Sequence, residues 1–200
     1  MTKRLAAQDW IDFALKTLAQ EGFDALKADV LARKLGVSRG SFYWHFTDLN
    51  DFHARVIEHW RQTATEAVIA DLERCEWRAE RLEVLLRRAL GHHNALEIRM
   101  RAWADNSPEA AQAVQDMDRR RREYMERLLV GAGIAPDLAA TRVQLLYWAY
   151  LGAALSRSRL AGKPLDRVVT ALKQIAFGGQ PAAIEGSRRH RFSRSGSERA

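Results

Sequence analysis

The stretch Lys27–Phe46, KADVLARKLGVSRGSFYWHF, decides how the rest of the chain is read. Val30, Leu31, Ala32 and Leu35 set a short helix that stops at Gly36, glycine being the residue that most readily takes the left-handed conformation ending a helix. Gly36-Val37 makes a tight turn with one apolar anchor, and Ser38 stands where it would cap a second short helix, Arg39 to about His45. Two helices joined by a three- or four-residue turn containing glycine form a helix-turn-helix. In that arrangement the second helix lies in the major groove of DNA and its first residues meet base edges. Here those residues are Arg39, Gly40 and Ser41: a long donor, a site of close approach and a hydroxyl. Tyr43, Trp44 and His45 at the far end suit phosphate and sugar contacts, while Phe42 and Phe46, four apart, share the buried face. Taken singly, Tyr43 or Trp44 reads as a packing residue, Arg39 as a solvated surface charge and His45 as a core hydrogen bonder. Their joint spacing is what points to DNA.

Outward from this motif the sequence reads as helix nearly throughout. Ile11, Ala14, Leu15 and Leu18 follow the helical period and end at Gly22. Phe52, Val56, Trp60, Ala64, Val68 and Leu72 run down one face of a long helix over roughly 48–74. Leu82, Leu85, Leu86 and Leu90 mark another that ends near Gly91. Ser107-Pro108 reads as an N-cap followed by proline at the first helical position, opening a helix that runs to about Val130 before Gly131 and Gly133. Ala135-Pro136-Asp137 and Lys163-Pro164-Leu165 read as two further helix starts. Neither an alternating strand pattern nor an Asn-Gly or Asp-Gly hairpin signal occurs. The expected fold is all-α, with about nine helices: a three-helix helix-turn-helix domain over 1–47 and a helical domain over 48–179. Residues 180–200, rich in Gly, Ser and Arg, read as a basic disordered tail.

The 200-residue chain has one cysteine, Cys75, which excludes an internal disulfide framework and a cysteine metal cluster. Its longest apolar run, Leu145–Leu155, is too short to span a bilayer, which takes roughly 20 residues. The early charges Lys3, Arg4, Asp9, Asp12 and Lys16 leave no secretory segment, so the expected location is the cytoplasm. The formal charge of +7 suggests nucleic acid as a partner, yet residues 1–60 carry 8 Lys/Arg against 8 Asp/Glu. The surplus comes from residues 61–180, with 19 against 15, and from residues 181–200, with 5 against 2. Within the neutral first block only the window 27–46 is basic, with Lys27, Arg33, Lys34 and Arg39 against Asp29.

Gly22, Ala25, Leu31-Ala32, Gly36-Val37-Ser38, Phe42-Tyr43, His45-Phe46 and Phe52 together resemble the tetracycline-repressor-like (TetR) family of bacterial transcription regulators over roughly residues 8–60. The resemblance implies phosphate contacts from Tyr43 and His45, and an approach to bases or backbone by Arg39, Ser41 and Trp44. Two positions depart from the family pattern. Lys27 stands where Thr or Ser usually caps the second helix, and Thr47-Asp48-Leu49 stands where a lysine often follows Phe46. Lys27 and Thr47 are candidate phosphate contacts in their place, and Ser38 and Gly40 complete the candidate DNA-binding set.

One such motif gains little specificity from one half-site. A two-fold dimer sets two reading helices about 34 Å apart, one turn of B-DNA, on a near-palindromic double-stranded operator. Leu145–Leu155 is apolar on all faces and must be covered on more than one side, either as the core helix of a monomer or at an interface. The resemblance implies homodimerisation through the last two long helices, about 137–177. It also implies a small-molecule effector held in the helical domain, moving the long helix at 48–74. His93, Met100, Trp103, Met117, Tyr124, Met125, Tyr147 and Tyr150 are the candidate ligand-binding residues, since Met and aromatic side chains suit an adaptable apolar cavity; each also fits plain core packing.

Adjacent His92 and His93 point about 100° apart on a helix, so no metal is expected, and no cofactor either. Arg119–Arg122 reads as a solvated face laced by Asp116–Arg120, Asp118–Arg122 and Glu123–Arg127 pairs rather than as a second nucleic-acid patch. With no glycine-rich phosphate loop, GxSxG elbow or HExxH, an enzyme is not expected. A helical dimerisation or partner-binding protein without sequence-specific DNA binding stays open beside the ligand-responsive repressor, as does, more remotely, an all-helical enzyme.

Overall fold

A computed structural model describes residues 5–75, 78–92, 94–156 and 160–178. Among them every regular element is helical: α1 (Ala7–Glu21), α2 (Ala28–Leu35), α3 (Arg39–Tyr43), α4 (Leu49–Arg61), α5 (Ala67–Glu73), α6 (Arg78–Gly91), α7 (Ala95–Ala104), α8 (Pro108–Gly131), α9 (Pro136–Leu155) and α10 (Gly162–Phe177). A short 3₁₀ turn, Phe23–Ala25, links α1 to α2. A π-helical turn, Gln62–Glu66, joins α4 to α5 into one continuous rod, so nine helical rods stand among the described residues. The expected tail at 180–200 lies outside the described residues, as does His93.

Local signals place the helix ends. The Asp9 carboxylate accepts the Ala6 N–H at 2.8 Å and caps the start of α1. Asp48 accepts from the Asp51 N–H at 2.8 Å at the start of α4. Ser107 Oγ accepts from the Ala110 N–H at 3.2 Å, with Pro108 as the first residue of α8. No helix among the described residues is long and apolar enough to cross a membrane.

The helices enclose two apolar cores. The first is built from α1, α2, α3 and α4 together with Met100 and Trp103 of α7 and Ala110, Ala113, Val114 and Met117 of α8. The second gathers Leu72, the inner face of α6, Tyr124 to Leu129 on the far half of α8, and α9 and α10. Helix α8 thus belongs to both, and α1 and α4 pack against the α7–α8 pair. The helix-turn-helix therefore rests directly on the helical domain beneath it.

Helix α9 buries Ala139, Val143, Leu146, Tyr147 and Ala154. Its other side stays open: Leu138, Leu145, Trp148 and Leu155 are 45%, 46%, 61% and 55% exposed, joined by Ile175 of α10. The all-round apolar character read from the sequence is therefore half used within one chain.

Candidate functional site

The helix-turn-helix is fixed by a turn that needs glycine and by an aromatic core. Gly36 ends α2 with φ +69°, and no atom lies within 4 Å of where a Cβ would stand. The left-handed backbone, not crowding, is thus what requires glycine. The Val37 N–H donates to the Ala32 carbonyl at 3.0 Å and closes the helix end. Beyond the turn, α3 places Phe42 and Phe46 inward at 0% and 1% exposure. Phe52 from α4 meets both rings edge-on, with centroids 5.0 and 4.9 Å apart, and Trp10 of α1 meets Phe42 at 5.5 Å. One face of α3 is thereby locked, and the residues between the two phenylalanines must point outward.

That outward face carries the sequence-derived candidates. Ser38, Arg39, Gly40, Tyr43 and Trp44 are exposed, and Ser41 and His45 are half-buried. Trp44 is 77% exposed, the most open large apolar side chain found among the described residues. Arg39 Nη2 donates to the Tyr43 hydroxyl at 3.0 Å and its guanidinium stands 5.5 Å from the ring centroid, so the two side chains form one unit. Ser38 occupies the N-cap position of α3, but its hydroxyl makes no capping bond there; the Ser41 N–H donates instead to the Ser38 carbonyl at 3.0 Å. Lys27 and Thr47 flank the motif, both exposed. The Thr47 N–H donates to Asp51 Oδ2 at 3.0 Å, and Arg55 together with this N–H holds the Asp51 carboxyl below its usual range. Of the basic residues in the window, Lys34 is taken up by an ion pair with Glu21 behind the motif. Eight of the nine candidate residues therefore lie on α3 or within a few residues of its ends, and Lys27 stands at the N-cap of α2.

A cavity of about 300 Å³ lies in the helical half, walled by the α4–α5 rod, α6, α7, α8 and α9. Of the expected ligand residues, Tyr124, Met125, Tyr147 and Tyr150 line it. Met100, Trp103 and Met117 do not. They are buried at 0%, 2% and 2% in the first core, where α7 and α8 meet the helix-turn-helix and Trp103 stacks on Phe23 at 4.6 Å. Residue type could not separate these two fates, because Met and aromatic side chains serve both. Apolar lining comes also from Trp60, Val68, Ile69, Leu86 and Leu146.

The polar side of the cavity is one that local spacing does not reveal. Arg121 reaches inward, 16% exposed, and faces Glu97, 6% exposed. Arg121 Nη1 donates to both Glu97 carboxylate oxygens at 3.1 Å, Nε donates to Thr65 Oγ1 at 2.9 Å, and Nη2 reaches the Ala64 carbonyl at 3.4 Å. Arg101 donates to Glu97 Oε1 at 2.7 Å and to Asp118 Oδ1 at 2.6 Å, and the Tyr147 hydroxyl donates to the same Asp118 oxygen at 2.5 Å. Two guanidiniums and two carboxylates thus neutralise each other in the interior, the arrangement a buried charge requires. Burial works against the charge on Arg121, but Glu97 holds the group firmly protonated. Burial pushes the Tyr150 hydroxyl up to about 12, so it stays a neutral donor and acceptor at the cavity wall.

This network corrects the reading of Arg119–Arg122 as a solvated face. Arg119 pairs with Asp116, but Arg120 reaches across to Glu66 at 3.0 Å, Arg121 turns inward, and Arg122 donates to the Asp118 carbonyl at 3.2 Å and to Gln144. Four consecutive helical positions wrap the whole circumference, so one of them had to face the core. No group of three His, Cys, Asp or Glu side chains that could hold a metal ion occurs among the described residues.

Residues 11–51 match the family model described as bacterial regulatory proteins, tetR family. Over 66 residues the chain is 33% identical to the HTH-type transcriptional regulator AcrR of Shigella flexneri, a match covering 33% of this chain; the chain spans 28% of that curated relative's length. Among solved structures, E. coli NemR in its reduced form superposes with a TM-score of 0.69 at 19% identity, over 84% of this chain and 96% of that one. A transcriptional regulator from Saccharomonospora viridis, solved in complex with choline, superposes with a TM-score of 0.66 at 16% identity, over 86% and 96%. A transcriptional regulator from Rhodococcus sp. Rha1 gives 0.68 at 20% identity, over 86% and 94%. At these identities the likeness is one of fold.

Proposed function

We propose that this chain, whose residues 11–51 match the tetR family of bacterial regulatory proteins, is a transcriptional regulator of that family that binds a DNA operator. The observation that carries the reading is the face of α3. Arg39, Tyr43 and the 77% exposed Trp44 project from a helix whose opposite face is locked by Phe42, Phe46 and Phe52. An indole that open, beside a guanidinium and a phenol, is costly to leave in water and suits a groove-and-backbone partner. Arg39, Gly40 and Ser41 would face base edges. Tyr43, Trp44, His45, Lys27, Thr47 and Ser38 would hold phosphate and sugar, fixing register without reading sequence.

The same reading makes the regulator a cytoplasmic homodimer on a near-palindromic site. The uncovered apolar stripe Leu138, Leu145, Trp148 and Leu155 on α9, with Ile175 on α10, supports a partner helix pair there. The cavity beneath α4 supports a small-molecule effector, and release of DNA on binding would make the protein a repressor. In this scheme residues 1–47 read DNA and the helical remainder senses and dimerises.

Selection of bound fragments from genomic DNA tests the reading. A palindromic site should emerge, bound more weakly as salt rises. Arg39→Ala should relax one or two base positions at a cost of about 1–3 kcal/mol, whereas Tyr43→Ala should weaken all sequences alike. Fragments bound without sequence preference, by the unaltered protein and by Arg39→Ala equally, would sink the assignment.

A further inference from the structure

We propose that the cavity takes an organic monoanion, an apolar body ending in a carboxylate, whose head group replaces Glu97 on Arg121. The proposal rests on the reading of the helical half as an effector domain, and it follows from how the interior charges are shared. Arg121 has one anionic partner among the described residues, Glu97. Glu97 has two cationic partners, Arg121 and Arg101, and Arg101 is itself anchored by Asp118 at 2.6 and 3.0 Å. The exchange is therefore lopsided. A ligand carboxylate that takes Arg121 leaves Glu97 held by Arg101 through bonds of 2.7 and 3.0 Å. A ligand cation that takes Glu97 leaves Arg121 in the interior with no anion, an uncompensated buried charge.

The walls agree with that assignment. Glu97 is the one carboxylate among the lining residues; beside Arg121 the lining holds Arg88 and His92, both exposed, and the hydroxyls of Tyr124, Tyr147 and Tyr150, which burial keeps neutral. Trp60, Leu86 and Leu146 supply apolar surface for the body, and a volume of about 300 Å³ confines it to a small molecule. The head group also meets the element that has to move. Arg121 holds Thr65 Oγ1 and the Ala64 carbonyl, both in the π-turn Gln62–Glu66 that continues α4 away from the helix-turn-helix. A carboxylate that draws Arg121 toward itself loosens that hold and changes the rod on which α3 is mounted.

The test titrates the full chain by calorimetry with phenylacetate, 1-naphthoate and octanoate, with the primary amides of the same acids, and with the corresponding primary amines. At least one acid should bind at least tenfold more tightly than its amide and its amine, and Arg121→Gln should remove that preference. Because Arg121→Gln breaks a buried pair and can unfold the chain, Leu86→Trp provides a second variant. It adds bulk to the apolar wall and leaves both members of the ion pair in place, and it should abolish acid binding while the thermal melt stays cooperative. An amide or amine that binds as tightly as its acid overturns the proposal, as does failure of all three acids to bind. The affinity for the selected DNA site, measured with each compound, separates this from the broader reading. An acid that binds while leaving DNA affinity unchanged upholds the ligand class and removes the effector role. An amine that releases DNA while the acids do not upholds the effector role and overturns the ligand class.

Discussion

His53 shows how one side chain ties the helix-turn-helix to the helical domain. It lies on α4 with its Nε2–H donating to the Leu26 carbonyl at 3.0 Å, and it packs between Phe23 at 5.1 Å and Trp103 at 5.3 Å. Burial lowers its pKa, and the Leu26 carbonyl only partly opposes this. The neutral ring is therefore the form the fold prefers. Protonation is easier in the unfolded chain, so stability should fall as pH drops through about 6.5, the unfolded value. Melting temperatures between pH 7.5 and 5.5 should show that loss, and His53→Gln should flatten it; a profile identical in the variant contradicts the assignment. Arg121 makes the same point about neighbours. Its sequence context, four arginines with acidic residues at helical spacing, describes a surface, while its partners Glu97 and Thr65 are 24 and 56 positions away. No local pattern carries that pairing. Glu97→Ala, which strands Arg121 in the interior, should cost about 3–5 kcal/mol in a denaturant titration.

At the scale of elements, the signals that could be read were those written in consecutive residues. The turn at Gly36 is the clearest. Its φ of +69° with open space around the missing Cβ means that Gly36→Ala should cost roughly 1–2 kcal/mol, a purely conformational penalty. Urea melts would show it, and an unchanged midpoint would mean that the turn does not need glycine. The proline-marked starts of α8 and α9 were equally legible. The π-turn was not. Phe52, Val56 and Trp60 are buried as their four-residue spacing implies, but the next buried position is Thr65, and Ala64 and Val68 are only half-buried. The wider turn shifts the face by one residue, and an apolar period has no symbol for an inserted residue. Helix α7 was also missed as an element. Its buried residues Glu97, Met100 and Trp103 include a carboxylate that acts as core only because two arginines meet it.

For the whole molecule, charge and apolar surface tell different parts of the story. The net charge of +7 suggests nucleic acid, but residues 1–60 as a block are neutral, only the window 27–46 within them is basic, and several of the surplus arginines, Arg101 and Arg121 among them, are committed to interior ion pairs. In the proposed function, what marks the partner is the placement of a few side chains on α3. The uncovered stripe on α9 and α10 is the complementary signal. Leu145 and Trp148, at 46% and 61% exposure, belong to an apolar face of the kind that marks an interaction site, and the proposed dimer would cover it. Trp148→Asp should shift the chain toward monomer in sedimentation velocity with little loss of helix content. Sedimentation equilibrium of the full chain on a DNA fragment recovered by selection joins both halves of the account. Two chains per fragment are predicted, on half-sites separated by one helical turn, about 34 Å, with Trp148→Asp losing the dimer and the tight complex together. One chain per fragment at undiminished affinity, or a Trp148→Asp monomer that binds the site as well as the unaltered protein, would contradict it.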